Sequence, residues 1–141
     1  MEPVRFSSKT GLKELSNFYP APIELGARWP TVEHFFQAQK FPGDPVLQEK
    51  IRTAATPASA KRLGRTRSPH FRSDWEQVKE SVMLQGLRAK FSDATLKAVL
   101  KSTGTAELVE VAAWDSYWGT GRNGKGLNRM GAALAQVRSE I

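Results

Sequence analysis

The sequence predicts a helix-dominated α+β fold, a single compact domain over residues 1–141 with a small β-sheet. Length is the first observation: 141 residues make one domain, at roughly 150 residues per domain. Composition is the second, with 40% hydrophobic and 25% charged residues, the balance of a globular chain that holds an ordinary core. The third is local: beyond residue 30, capping residues repeatedly precede apolar residues at helical spacing, and strand-like stretches are few and short.

Residues 1–30 read as irregular, with Pro3, Pro20, Pro22 and Pro30, and Ile23 to Trp29 form a short hairpin around Gly26. Thr31 caps a helix to about Phe41 that buries Val32, Phe35 and Phe36. Asp44-Pro45 and Thr56-Pro57 each set a cap before a first-turn proline, predicting helices near 45–54 and 57–64. Ser73-Asp74-Trp75-Glu76 has the form of a capping box and opens the longest helix, to about Phe91, with Trp75, Val78, Val82, Leu87 and Phe91 inward. Asp93 caps the next helix, which buries Leu96, Val99 and Leu100 and stops at Gly104. Residues 107–114 read as one strand, and Leu127, Met130, Leu134 and Val137 give the last helix its apolar face.

The residue counts exclude several chemistries. There is no cysteine, so thiol catalysis, disulfides and Cys-ligated metals are absent. His34 and His70 are the two histidines, and no metal site is expected of them. His34 reads as a surface or packing residue. The 21 Lys plus Arg against 14 Asp plus Glu leave a net charge of +7, which attracts anions: nucleic acid, an acidic membrane face or a phosphorylated small molecule. No apolar run approaches the ~20 residues of a membrane span. Met1-Glu2-Pro3 begins no signal-like pattern, so a cytoplasmic location is expected.

Residues 119–126, Gly-Thr-Gly-Arg-Asn-Gly-Lys-Gly, match both a dinucleotide fingerprint and most of a P-loop. Neither holds. Too little chain follows Gly124 for the acidic partner of the first, and Gly126 replaces the magnesium-binding Ser or Thr of the second. A glycine loop before a helix could still offer backbone N–H groups to an anion, or simply be a flexible surface loop.

Chemistry-bearing residues fall in three places. Glu33, Gln37 and Lys40 recur at i, i+4 and i+7 of a helix, opposite Val32, Phe35 and Phe36. Such a stripe is most often a solvated face. Trp114-Asp115-Ser116-Tyr117-Trp118 surrounds one carboxylate with aromatics, which either desolvate it for proton exchange or form core around a turn-capping aspartate. Lys61, Arg62, Arg65, Arg67 and Arg72 make an acid-free cluster suited to one or two phosphates or to solvent. With thiols absent and histidine scarce, catalysis would rest on carboxylates; with aromatics and phosphate-binding cations, cleavage of a glycosidic bond is a candidate reaction.

At these residues the chain resembles the YbiA-like, or NADAR, family. The resemblance runs through Leu15-Ser16-Asn17-Phe18, Trp29 to Phe41, Ala60 to Arg65, Trp75 to Lys79 and Leu87 to Phe91. It continues through Glu107 to Glu110, Asp115 to Gly119 and Gly124 to Gly131, in order over nearly the whole chain. It implies the YbiA-like fold and a cofactor-free N-glycosidase that releases ribose 5-phosphate from phosphorylated amino-pyrimidine intermediates of riboflavin synthesis, removing reactive compounds before they do damage. Other branches imply removal of ADP-ribose from modified guanine or NAD-derived adducts, the one reading in which nucleic acid is a partner. A non-catalytic basic nucleotide- or nucleic-acid-binding module is the third reading.

Glu33, Trp75, Asp115 and Trp118 look most like the family's site, with Asn17, Phe18 and Lys79 in its motifs. On this reading Glu33 orients water or stabilises the positive sugar ring and Asp115 exchanges the proton, or the reverse. Trp75 and Trp118 stack on the base or wall the sugar. Lys40, Lys79, Arg62, Arg65 and Lys125 are the pool for phosphate contacts, and Gly119 and Asn128 complete the expected binding residues.

Overall fold

In the computed structural model, which describes residues 1–141, the elements run in this order: strand β1 (Val4–Phe6), a 3-10 turn (Lys13–Leu15), strands β2 (Ile23–Glu24) and β3 (Arg28–Trp29), and helices α1 (Val32–Ala38), α2 (Pro45–Arg52), α3 (Pro57–Leu63), α4 (Trp75–Lys90) and α5 (Ala94–Ser102). Strand β4 (Leu108–Glu110) and helix α6 (Arg129–Ser139) complete the α+β fold. The chain divides into two compact units, Pro20–Lys90 and Met1–Tyr19 with Phe91–Ile141.

In Pro20–Lys90, β2 and β3 pair antiparallel, Ile23 opposite Trp29, across the predicted turn at Gly26. The hydroxyls of Thr31 and Thr56 and the carboxylate of Asp44 accept the N–H three residues on, at His34, Ser59 and Leu47, so the predicted caps start α1, α3 and α2. Helix α1 ends at Ala38 rather than near Phe41 and packs on α2, α3 and α4. All seven of its residues are buried, so Glu33 and Gln37 do not lie on a solvated face. Gly86 in α4 is the point of approach, since a methyl group there would press on Val32 and Phe35. The Ser73–Glu76 capping box does not form. The Asp74 carbonyl accepts the first N–H bonds of α4, and the Glu76 carboxylate pairs with Lys79 at 2.7 Å.

In the other unit, β1 lies parallel to β4 with Val4 opposite Leu108. The expectation of irregular structure over residues 1–30 thus fails at two places, β1 and the 3-10 turn. The predicted strand over 107–114 shrinks to three residues because Ala112 to Asp115 turn back. Asp93 caps α5 through Leu96 N–H, as expected. Leu127 lies outside α6 and is exposed; the buried face of that helix is Met130, Gly131, Leu134 and Val137. Gly131 brings α6 against β4 so closely that a side chain would collide with the Leu108 carbonyl.

Candidate active site

Within Pro20–Lys90 the polar residues of α1 meet the C-terminal end of α3 and the first turn of α4. Glu33 is 7% exposed. Its Oε2 accepts a 2.6 Å hydrogen bond from Gln37 Nε2, the i+4 neighbour on the same helix. Gln37 Oε1 is buried and accepts no hydrogen bond, and it lies where a side chain on Gly64 would project.

One turn further along, Lys40 Nζ donates to the Gly64 carbonyl at 3.4 Å and lies 5.9 Å from the centre of the Trp75 ring. Trp75 is buried and tilts against Phe36, with ring centres 5.0 Å apart. Burial holds the Lys40 ammonium below its ordinary pKa; Glu33 and Glu76 oppose that shift, and Arg65 and Lys61 add to it. A carboxylate, an amine and an indole therefore share one neighbourhood, edged by further cations.

Arg62 and Arg65 are exposed and Lys79 is half-buried in its pair with Glu76. Arg72 pairs with Asp74 at 2.6 Å, which withdraws it from the acid-free cluster seen in the sequence. His34 is fully buried, with Nδ1 2.8 Å from the Thr31 hydroxyl and Nε2 3.1 Å from the Ala54 carbonyl. Its role is packing.

The remaining predicted residues lie in the other unit. Asn17 is buried beside the 3-10 turn, and the N–H of half-buried Phe18 donates to Ser16 Oγ at 3.1 Å. Asp115 Oδ1 accepts N–H bonds from Tyr117 at 3.0 Å and Trp118 at 2.8 Å. It caps a turn. Trp118 is half-buried with its ring at right angles to Tyr117, whereas Trp114 is 84% exposed under the Arg122 guanidinium. The expected enclosure of Asp115 by two tryptophans is therefore corrected, because Trp114 points into solvent.

The glycine loop is largely tied down within the chain. Its amides bond inward: Thr120 N–H to Glu110 O, Gly121 to Ala112 O, Gly126 to Thr120 O and Leu127 to Ser116 O. The N–H groups of Arg129 and Met130, which open α6, donate to the Tyr117 and Trp118 carbonyls at 3.0 Å. Gly119 is buried where a side chain would strike Ala112, and Lys125 stands exposed. The Asn128 amide is likewise engaged, accepting from Glu110 N–H and donating to the Leu108 carbonyl.

Gln37 is the residue that the expected set omitted. Its i+4 spacing from Glu33 was visible, but a glutamine on a helix face gives no sign of burial until the opposing helix is in place. No group of three or more His, Cys, Asp or Glu side chains is arranged to hold a metal ion, and no helix is long and apolar enough to cross a membrane.

Comparison with known proteins gives the family of the chain. Residues 5–141 match the model of the NADAR domain. N-glycosidase YbiA of Shigella boydii is 47% identical over 138 residues, which cover 96% of this chain and 86% of that protein. The chloroplastic riboflavin biosynthesis protein PYRR of Zea mays is 43% identical over 89% of this chain, which spans 23% of that longer protein. The NMR structure of Escherichia coli YbiA superposes with a TM-score of 0.86 at 44% identity, covering 99% of this chain and 86% of that one. The chain belongs to the NADAR family, whose relatives matched here include named N-glycosidases, hydrolases of N-glycosyl bonds.

Proposed function

We infer that this chain hydrolyses the N-ribosyl bond of a phosphorylated amino-pyrimidine intermediate of riboflavin synthesis, releasing ribose 5-phosphate and the free amine. The observation that carries this reading is the enclosed Glu33 carboxylate beside Lys40 and Trp75, in a chain whose relatives bear N-glycosidase and riboflavin-biosynthesis names.

The chemistry asks for little more. As the carbon–nitrogen bond breaks, the anomeric carbon becomes positive, and the departing nitrogen needs a proton. Water forms the new carbon–oxygen bond and gives up a proton. Glu33 steadies the positive ring and takes the water proton; Asp115 exchanges the proton with the leaving nitrogen. Trp75 and Trp118 supply flat apolar faces for base and sugar. Lys40, Arg62, Arg65, Lys79 and Lys125 are the cations available to attract the phosphate. Asn17 and Phe18 remain binding residues on the strength of their motif.

The test is one panel: purified protein with the amino-pyrimidine ribotide, ADP-ribose, NAD and ADP-ribosylated guanine, the released sugar identified by mass spectrometry. Ribose 5-phosphate from the ribotide supports the reading. Release of ADP-ribose from modified guanine, with the ribotide untouched, overturns it in favour of an ADP-ribosyl glycosidase.

A further inference from the structure

We propose that Gln37 is a positioning residue for Glu33, and that Gly64 leaves the Gln37 amide the room it needs to hold its donor on ionised Glu33. This rests on the reading above and deepens it, because it assigns Glu33 the proton-accepting, charge-stabilising role and leaves proton donation to the other carboxylate.

A side-chain amide has a donor end and an acceptor end, and here the two have opposite surroundings. Nε2 donates to Glu33 Oε2 at 2.6 Å, a short bond of the charge-assisted kind. Oε1 is buried with no hydrogen bond at all. A buried acceptor without a donor is costly, so the orientation needs a compensating interaction at the other end. An ionised carboxylate supplies it. Turned over, the amide would set Oε1 against Glu33 Oε2, two acceptors in contact, and that pair is tolerable only with a proton on Glu33.

Gly64 supplies the second, independent observation. It is the C-cap of α3, with φ −63° and ψ −11°, an ordinary right-handed conformation open to any residue. Glycine is not there for its backbone freedom. It is there for room: a methyl group would occupy the position of Gln37 Oε1 and touch Gln37 Cβ and Cδ. The three atoms nearest to that missing methyl all belong to the Gln37 side chain, so the backbone at the end of α3 acts as a stop against which the amide rests.

A donor held on Oε2 favours the charged form of Glu33, and removing the donor lets the buried carboxyl retain its proton to higher pH. The loss should appear in the ionisation of one named group. A merely structural residue would change stability or expression and leave that ionisation where it was.

Two measurements test this, on the wild type, Gln37→Leu, Gln37→Glu and Gly64→Ala, each checked for folding by its melting transition. The first needs no substrate: the side-chain carboxyl carbon of Glu33 is titrated by NMR in glutamate-labelled protein, assigned by its loss in Glu33→Gln. Gln37→Leu should raise the midpoint by about one pH unit, and Gly64→Ala should raise it less. An unchanged midpoint in folded Gln37→Leu overturns the proposal.

The second is the pH profile of kcat for N-glycoside hydrolysis. In Gln37→Leu the acid limb should move up with the NMR midpoint, so that kcat at a fixed pH on that limb falls about tenfold with KM little changed. Gln37→Glu should recover activity only at acid pH, where a proton shared by the two carboxyls restores a donor to Glu33. If Gln37→Leu does not fold, the profiles of Gln37→Glu and Gly64→Ala decide alone, and a wild-type profile in both overturns the proposal. An active Glu33→Gln, by contrast, overturns the functional reading, whatever the Gln37 variants do.

Discussion

Asn128 holds Glu110 from outside the sheet: its Oδ1 accepts the Glu110 backbone N–H at 3.0 Å, and its Nδ2 donates to the Leu108 carbonyl at 2.8 Å. The side chain thus does for β4 what a neighbouring strand would do. Asn128 is also the N-cap of α6 and the only non-glycine residue with positive φ, at 52°. Asparagine tolerates that conformation better than most residues. Asn128→Ala should therefore destabilise the protein by about 3 kcal/mol, from two orphaned backbone groups and left-handed strain. Asn128→Gly should recover only the strain, about 1 kcal/mol. Urea denaturation of the three proteins checks this, and equal stability of the Ala and Gly variants would remove the conformational part of the argument.

The turn at Asp115 allows its two possible roles to be separated by substitution. Oδ1 accepts the Tyr117 and Trp118 N–H groups, and an asparagine carbonyl can accept the same two bonds. Asp115→Asn should keep the fold and lose hydrolysis by about 10²–10⁴-fold if the carboxyl exchanges a proton. Asp115→Ala should lose both the activity and about 1–2 kcal/mol of stability with the turn cap. Glu33→Gln should likewise stay folded, because the new amide oxygen can still accept from Gln37, and its kcat should fall by about the same factor. Full turnover in either folded isostere rules out that carboxylate as a catalytic group.

What the sequence made legible was mostly local. The caps at Thr31, Asp44, Thr56 and Asp93 were readable because each side chain bonds an N–H three residues away. Strand β1 was not, since three residues of alternating character declare nothing until Leu108–Glu110 arrives from a hundred positions later. The same limit governs the site. Glu33 and Lys40 were marked by spacing and motif, but the enclosure of α1 comes from three other helices and turns a nominally solvated stripe into a buried one. Around 119–126 the glycine pattern suggested ligand contact, whereas several of the loop's amides bond to carbonyls of residues 110–120. Glycine permits close approach by any backbone, and sequence cannot say which one comes.

Lys40 links site electrostatics to substrate charge. Burial lowers its pKa from the ordinary 10.5, so its positive charge fades earlier than that of a surface lysine as pH rises. If it draws in the substrate phosphate, KM for the phosphorylated substrate should climb on the alkaline side below pH 10.5, while the dephosphorylated nucleoside shows no such limb. Lys40→Arg keeps its charge throughout and should flatten the limb. Lys40→Met should raise KM for the phosphorylated substrate by about tenfold at neutral pH, the worth of one partly solvated charge-assisted contact. Identical KM shifts for phosphorylated and dephosphorylated substrates would mean that Lys40 acts on the ring and not on the phosphate.

His34 predicts how the fold responds to acid. Burial lowers its pKa from 6.5, and the hydrogen bond to the Ala54 carbonyl only partly opposes that effect. In the neutral ring Nε2–H donates to Ala54 O while Nδ1 accepts from the Thr31 hydroxyl, so both nitrogens are satisfied without a charge. Below pH 6.5 the unfolded chain binds a proton at this residue that the folded chain declines. The contribution of His34 is accordingly complete above pH 6.5, and it is lost as pH falls from there toward the lower folded value. The melting temperature of the wild type should drop between pH 7.5 and 5.5 by more than that of His34→Gln, which cannot titrate in this range. Both proteins share every other ionisable group, so the difference between the two drops isolates the histidine. Parallel curves would show that His34 takes up its proton in the folded protein as readily as in the unfolded one, and that the Thr31 and Ala54 contacts do not depend on a neutral ring.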